Sequence, residues 1–80
     1  MNSCRTFKRG RHILNYVAER QDAAVTCFLI RRTRQQLVVE QIPGEPGVYS
    51  MACLFRFPGR YTLTAYEDGI RRAVTIVDVT

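Results

Sequence analysis

A β-hairpin near the C-terminus is the sequence feature that most constrains the fold. Two runs rich in β-branched and aromatic residues, 60–66 and 71–79, flank the dipeptide Asp68-Gly69. Asp-Gly favours a two-residue type I′ turn, which needs positive φ at both central positions. The sequence therefore predicts an antiparallel hairpin in which Glu67 faces Ile70 across the turn.

Counting outward from this turn predicts the register of the hairpin. The expected opposed pairs are Tyr61 with Ile76 and Leu63 with Val74 on one face, and Thr62 with Thr75 and Thr64 with Ala73 on the other. Because cross-strand partners share a face, one face is apolar and the other is lined by threonine. This pattern is typical of an antiparallel sheet with one face against the core and one in water.

The first half of the chain predicts two further strands. Residues 12–18 are rich in Ile, Tyr and Val, which favours a strand, although the spacing of Leu14, Val17 and Ala18 leaves a helix over 12–20 as the alternative. Residues 24–31 form a nearly continuous apolar run, which is typical of a central strand covered on both faces. Residues 31–36 then form a charged connection.

The segment between residues 37 and 55 predicts two strands around a turn. The strands are residues 37–42 and 48–55, and residues 43–47 between them are rich in the proline and glycine that reverse a chain. Alternation in the second strand places four apolar side chains on one face: Tyr49, Met51, Cys53 and Phe55.

The length and the spacing of the strands predict the architecture. A chain of 80 residues makes one small domain. About six strands at intervals of about ten residues, joined by short turns, indicate an all-β sandwich or barrel. We divide the chain into a basic N-terminal arm, residues 1–10, and a small antiparallel β-sandwich, residues 11–80, whose first strand is short or missing.

The second half of the chain resembles immunoglobulin-like sandwich repeats of the filamin and bacterial Ig-like kind. The resemblance spans residues 24–79, and the matching residues are Gly47-Val-Tyr49, Pro58-Gly59, Gly59-Arg-Tyr61 with Leu63 and Ala65, Asp68-Gly69, and 73–79. It implies an Ig-like antiparallel β-sandwich with a structural or protein-binding role, since such repeats act mostly as spacers and docking modules. The basic segment before Gly10 departs from this pattern, which has seven strands.

The cysteines and the apolar runs predict the compartment. Three cysteines without a recognisable signal peptide favour a reducing environment, and therefore a cytoplasmic or intracellular location, with a virion as an alternative. The longest apolar run, residues 25–30, is strand-sized, so we expect no membrane partner. Cys27 and Cys53 are expected to be free thiols in the core, and a disulfide between them is the alternative.

No pattern in the sequence indicates catalysis or metal binding. His12 is the single histidine, and no motif places a nucleophile or a carboxylate beside it. The cysteines and His12 lack the short paired spacings of structural zinc ligands. We therefore expect no catalytic residue, no metal site, no cofactor and no small-molecule substrate.

The basic residues are the main functional signal. The chain carries a net charge of +5, with eleven arginines and one lysine. The candidate docking residues are Arg5, Lys8, Arg9, Arg11, Arg31, Arg32, Arg34, Arg71 and Arg72. They support three interpretations: a soluble positive surface, contacts with nucleic acid aided by Tyr66 and Phe57, and docking on an acidic protein surface.

Together these features predict a non-enzymatic structural or protein–protein interaction module that docks within a larger assembly, with a tailed-phage virion accessory protein as one setting. The expected partner is another protein or a second copy. A sandwich that lacks one strand leaves an open edge, which the residues before Gly10 could cover on a neighbouring molecule. The alternative is a small basic β-barrel that binds nucleic acid through its loops.

Overall fold

The computed structural model describes residues 2–80, with side chains from residue 4 onward. Within this range the chain forms eight β-strands and no helix. The strands are β1 (Asn2–Phe7), β2 (Gly10–Val17), β3 (Val25–Ile30), β4 (Arg34–Gln36), β5 (Val39–Gln41), β6 (Val48–Phe55), β7 (Gly59–Glu67) and β8 (Ile70–Val79). The strand predicted for residues 12–18 is therefore confirmed over the helix alternative.

The strands form two sheets packed face to face. One sheet has five strands in the order β1-β8-β7-β3-β4, and the other has three in the order β2-β6-β5. The buried core lies between them and consists of Leu14, Cys27, Leu29, Leu37, Met51, Cys53, Phe55, Tyr61, Ala65, Val77 and Val79. The all-β sandwich predicted from the sequence is thus confirmed, with its apolar side chains on the two inner faces.

β1 lies within the basic N-terminal segment and runs parallel to β8. Phe7 pairs with Val79, and its ring packs against that of Phe55 at a centroid distance of 6.0 Å. The N–H of Thr80 donates to the carbonyl oxygen of Phe7 over 3.0 Å. The first strand, predicted as short or missing, is present with six residues, and it pairs with β8 of the same chain. One partly buried ring and a row of backbone hydrogen bonds therefore hold this polar strand against β8.

The segment from β3 to β5 differs from the prediction in three places. β3 is buried on one face only, because Cys27 and Leu29 point into the core while Phe28 and Ile30 are only half-buried. The charged connection contains a strand, β4, which pairs with β3. The chain then crosses to the other sheet at residues 37–38, so that the single strand predicted for 37–42 is reduced to β5.

The hairpin turn is confirmed, but the predicted register is wrong beyond Tyr66. Asp68 and Gly69 have φ values of 52° and 81°, as a type I′ turn requires. A β-bulge then makes Arg72 an extra residue, which shifts every later pair by one. The observed pairs are Ala65 with Ala73, Thr64 with Val74, Leu63 with Thr75, Thr62 with Ile76, and Tyr61 with Val77.

The bulge has a physical reason in the charges of β8. Regular pairing would place Arg72 opposite Ala65 and Asp78 opposite Gly59, on the face that meets the core. Removing an unpaired charge from water costs several kcal/mol, by order of magnitude. With the bulge, Val77 and Val79 point inward instead, and the carboxylate of Asp78 accepts a hydrogen bond from Nε of Arg60 over 2.8 Å on the outer face.

Candidate docking surfaces

The topology gathers some of the predicted docking residues at one end of the sandwich. Phe7 and Gly59 both pair with Val79, and Gly10 pairs with Phe55, so the β1–β2 and β6–β7 turns lie side by side. The β3–β4 turn joins them, because Nη2 of Arg31 donates to the carbonyl oxygen of Pro58 over 3.4 Å. We call this the basic end; its turns carry Lys8, Arg9, Arg31, Arg32 and Arg56.

The remaining predicted docking residues lie elsewhere. The Arg5 guanidinium is 5.1 Å from the ring centroid of Phe7 on β1, and that of Arg34 stacks 3.7 Å from the ring centroid of Phe28 on β3. Arg11 lies on the exposed face of β2. Arg71 and Arg72 belong to the opposite end, next to the hairpin turn. The nine residues therefore do not form one surface.

The opposite end carries most of the negative charge, and we call it the acidic end. Hydrogen bonds tie its turns together: the N–H of Ala18 donates to the Gly47 carbonyl oxygen over 2.8 Å, and that of Asp68 to the Ala24 carbonyl oxygen over 2.9 Å. Five of the seven acidic residues of the chain lie in or next to these turns: Glu19, Asp22, Glu45, Glu67 and Asp68. The sequence shows the net charge, but only the fold shows that the charge is polarised.

A cleft of about 550 Å³ opens at the basic end between the β3–β4 and β6–β7 turns. We call it the arginine pocket; it is lined by Leu29, Arg31, Arg32, Thr33, Gln35, Leu54, Arg56, Phe57 and Tyr61. Phe57 is 58% exposed, so much of its ring is available for contact. No carboxylate lies among these lining residues.

Arg31 packs against two aromatic rings of the arginine pocket. Its guanidinium carbon lies 5.7 Å from the ring centroids of both Phe57 and Tyr61. Gly59 lies beside it: the backbone φ of 133° favours glycine there, and a Cβ would come to 3.4 Å from Nε of Arg31. Contact with two aromatic rings and the Pro58 carbonyl restricts a side chain that is otherwise flexible.

Arg56 is not among the docking residues that the sequence predicts. Arg56 is a single arginine between two phenylalanines, so it does not stand out as a cluster. The Phe57-Pro58-Gly59 turn is the sequence signal that could have indicated a binding site next to Arg56. An aromatic residue in a turn lies outside the alternating pattern of a strand and is often exposed. What brings this turn to Arg31 is long-range packing, which local sequence does not encode.

A second feature lies along β2, which is an unpaired edge of the three-stranded sheet. Its outer face carries Ile13 and Val17, which are 64% and 70% exposed. Between this edge and the β1–β8 side of the other sheet lies a small apolar cavity of about 70 Å³, which we call the apolar slot. Core side chains from both sheets line the slot, including Leu14, Leu63 and Ala73.

A buried carboxylate fixes β2 against the larger sheet. Glu67 is 3% exposed, and its carboxylate accepts hydrogen bonds from the hydroxyl of Tyr16 and from the N–H of Glu19, the latter at 3.2 Å. Burial, together with the bond to Glu67, raises the pKa of Tyr16 well above its usual value, so this hydroxyl stays protonated and keeps donating. With these hydrogen bonds, Glu67 has a structural role: it holds β2 and the turn after it against β7.

The cysteines and the histidine also occupy structural positions. Cys27 and Cys53 are fully buried free thiols, as predicted, whereas Cys4 is exposed. Burial raises the pKa of each buried thiol to about 11. His12 packs against Phe7 at a centroid distance of 4.8 Å, and its Nε2 lies 2.8 Å from the Lys8 carbonyl oxygen. Among residues 2–80, no three potential metal ligands come together.

The part of the chain that the structure describes contains no helix of the length and hydrophobicity needed to cross a bilayer.

Comparison with known proteins shows the fold. No family model matches the sequence, and no curated protein matches it. The crystal structure of the Lin-41 filamin domain superposes with a TM-score of 0.67 at 19% identity, over 94% of this chain and 82% of that domain. Listeria monocytogenes InlP superposes with a TM-score of 0.66 at 15% identity; it matches all of this chain, which spans 27% of InlP. The Ig-like β-sandwich expected from the resemblance is therefore confirmed.

Proposed function

We propose that this chain is a non-enzymatic protein-interaction module that accepts an extended segment of a partner along β2. The observation that carries this proposal is the combination of an unpaired edge strand with the apolar slot beside it. Every second residue of an edge strand directs its N–H and C=O groups away from the sheet, where a partner strand can pair with them. Natural proteins usually protect such an edge with proline, a bulge or inward-pointing charge.

β2 has none of these protective features within its eight residues. It contains no proline, its pairing with β6 is regular from Gly10 to Val17, and Ile13 and Val17 expose apolar surface. Arg11, the second residue of β2, is the one arginine in the strand, and its side chain points outward near the basic end. A partner strand would add its backbone to the edge and place alternate apolar side chains in the slot.

The Ig-like fold is compatible with a protein-interaction role. Ig-like sandwiches host many unrelated activities, so the proposal rests on the edge rather than on the superpositions. A larger assembly, of which a phage virion is one example, is the setting in which such a module would serve a structural role. The basic β-barrel that binds nucleic acid is not favoured, because the fold is a sandwich and the predicted docking residues do not form one continuous basic surface.

The test compares two matched lysine substitutions on the same outer face. Ile13→Lys places a charge on the edge strand, whereas Ala52→Lys places it on the central strand β6, where Ala52 is exposed and pairs with Ile13. A partner is first isolated on the immobilised wild-type chain from its native source, and its affinity for the three proteins is then measured. We expect Ile13→Lys to weaken binding by about tenfold and Ala52→Lys to change it by less than about threefold.

Hydrogen exchange on the complex separates strand addition from docking on the face of the sheet. Strand addition should protect amide protons at alternate residues of β2, because only those face the added strand. Equal losses for both lysine variants, without new protection in β2, would show that a partner binds the face and not the edge.

A further inference from the structure

The arginine pocket has the chemistry of a site for an anion joined to an apolar group. The guanidinium groups of Arg32 and Arg56 have no hydrogen-bonding or ionic partner among the described residues. Arg31 is already ordered by Phe57, Tyr61 and the Pro58 carbonyl oxygen. An oxyanion can therefore gain charge-assisted hydrogen bonds from the two free arginines without displacing an internal carboxylate.

The size and lining of the arginine pocket indicate more than a single small ion. At about 550 Å³, it falls within the usual range of ligand clefts, about 300 to 1,000 Å³. Exposed apolar surface from Leu54 and Phe57 lies beside the arginines, at 50% and 58% exposure. A fitting ligand carries a carboxylate and an apolar side chain close together.

We propose that the arginine pocket binds an acidic segment of a partner protein, in which carboxylates alternate with apolar residues. Arg32 and Arg56 bind the carboxylates through their guanidinium forks, and an adjacent apolar side chain packs on Phe57 and Leu54. Arg31, which packs on Phe57 and Tyr61, supplies a third positive charge. This site lies at the end of the sandwich and does not depend on strand addition at β2.

The distribution of charge favours a peptide over a nucleic acid. Nucleic-acid binding needs a positively charged track that follows many phosphates, with aromatic rings on which successive bases stack. Here only five of the twelve basic residues lie at the basic end, and the five carboxylates at the acidic end would repel a polyanion that extends along the molecule. Phe57 is the one exposed aromatic ring in the pocket, since Tyr61 is only 6% exposed. A short acidic segment can bind at this end without meeting the negative charge at the other.

The experiment measures binding of a short fluorescent peptide of alternating glutamate and leucine by anisotropy, with a glutamine–leucine peptide as the uncharged control. Three proteins are compared: the wild type, the pocket variant Arg32→Ala/Arg56→Ala, and the control variant Arg34→Ala/Arg71→Ala, whose residues lie outside both proposed binding sites. Both variants lose two positive charges from exposed positions, so they have the same net charge. Thermal melting confirms that each variant is folded.

We expect the pocket variant to bind the acidic peptide at least about tenfold more weakly than the wild type, because it loses two charge-assisted contacts. The control variant should change the affinity by less than about threefold, and the glutamine–leucine peptide should bind weakly to all three proteins. Equal losses in the two variants would overturn the proposal, since they would show attraction by net charge alone. The proposal would also be overturned if the wild type did not bind the acidic peptide, or if it bound single-stranded DNA of the same charge more tightly.

Discussion

The two buried thiols show how a residue's chemistry is set by its position. Cys27 on β3 and Cys53 on β6 lie on the facing inner surfaces of the two sheets, with no exposed surface. Burial disfavours the thiolate and raises both pKa values to about 11. A thiol that stays protonated is a poor nucleophile and a poor metal ligand, so these residues act as small apolar side chains.

The raised thiol pKa values predict that stability falls as the pH rises from about 9 to about 11. Over this range the thiols ionise in the unfolded chain but stay protonated in the folded one, so the unfolded state binds fewer protons and gains stability with pH. Each thiol contributes on the order of 2 kcal/mol at most. Urea unfolding at the two pH values should show a steeper loss for the wild type than for Cys27→Ala/Cys53→Ala.

The double variant controls for the other groups that titrate in this range, among them the tyrosines. An equal loss of stability in the variant would show that the buried thiols do not cause the pH dependence. At pH 8, reductant should leave the unfolding curve of the wild type unchanged, because both core thiols are free.

At the scale of the element, the β7–β8 hairpin combines a local turn with a non-local adjustment of register. The turn depends on the backbone conformations of Asp68 and Gly69, and Asp68 further accepts a hydrogen bond from the Ala24 N–H at 3.0 Å. The bulge at Arg72 depends on which face of β8 meets the core. Sequence near the turn therefore determines where the chain reverses, while burial determines which side chains end up inside.

Gly69→Val should destabilise the protein by about 1 to 3 kcal/mol, although the position is exposed. A Cβ at Gly69 would meet no other atom within 4 Å, so the cost comes from the positive φ of 81° and not from a clash. Gly69→Asn is the matched control, because asparagine tolerates positive φ far better than a β-branched residue. Thermal or urea unfolding of the three proteins tests this. Equal loss in both variants would mean that backbone strain is not the cause.

At the scale of the whole molecule, the two sheets differ in the strands at their edges. β1 extends the larger sheet on the β8 side, whereas β2 has no neighbour on its outer side in the smaller sheet. Charge is also uneven, with free arginines at the basic end and five carboxylates at the acidic end. Both asymmetries concern surfaces available to partners, and each of the two proposed contacts uses one of them.

Deleting residues 1–8 should destabilise the domain by about 3 kcal/mol or more. The deletion removes the β1–β8 pairing and the partly buried Phe7 ring. Loss of a fully buried phenylalanine typically costs about 3 to 5 kcal/mol, so we expect the ring to account for part of the loss and the strand pairing for the rest. The control, Arg5→Ala/Lys8→Ala, removes positive charge from the same segment and keeps the strand. Urea unfolding measures both. A truncated chain as stable as the full one would show that this segment acts as a separate arm.

The sequence by itself determined the elements whose signals are local. Asp68-Gly69 predicted the turn, because few residue pairs adopt positive φ twice in succession. The alternation from Tyr49 to Phe55 predicted the inner face of β6, because strand geometry turns every second side chain to the same side. The short β4, by contrast, has three exposed polar residues and no apolar pattern, so nothing local distinguished it from a loop.

Only the tertiary structure decided the register of β8, the pairing of β1 and the composition of the docking surfaces. The register follows from keeping Arg72 and Asp78 out of a core that Val77 and Val79 fill, and that core exists only once the sheets have packed. Arg31, Arg32 and Arg56 are separated in the chain and meet because three turns reach the same end. Strand propensity acts between neighbours in sequence, whereas burial and charge act between neighbours in space, and the latter determine where this protein can bind a partner.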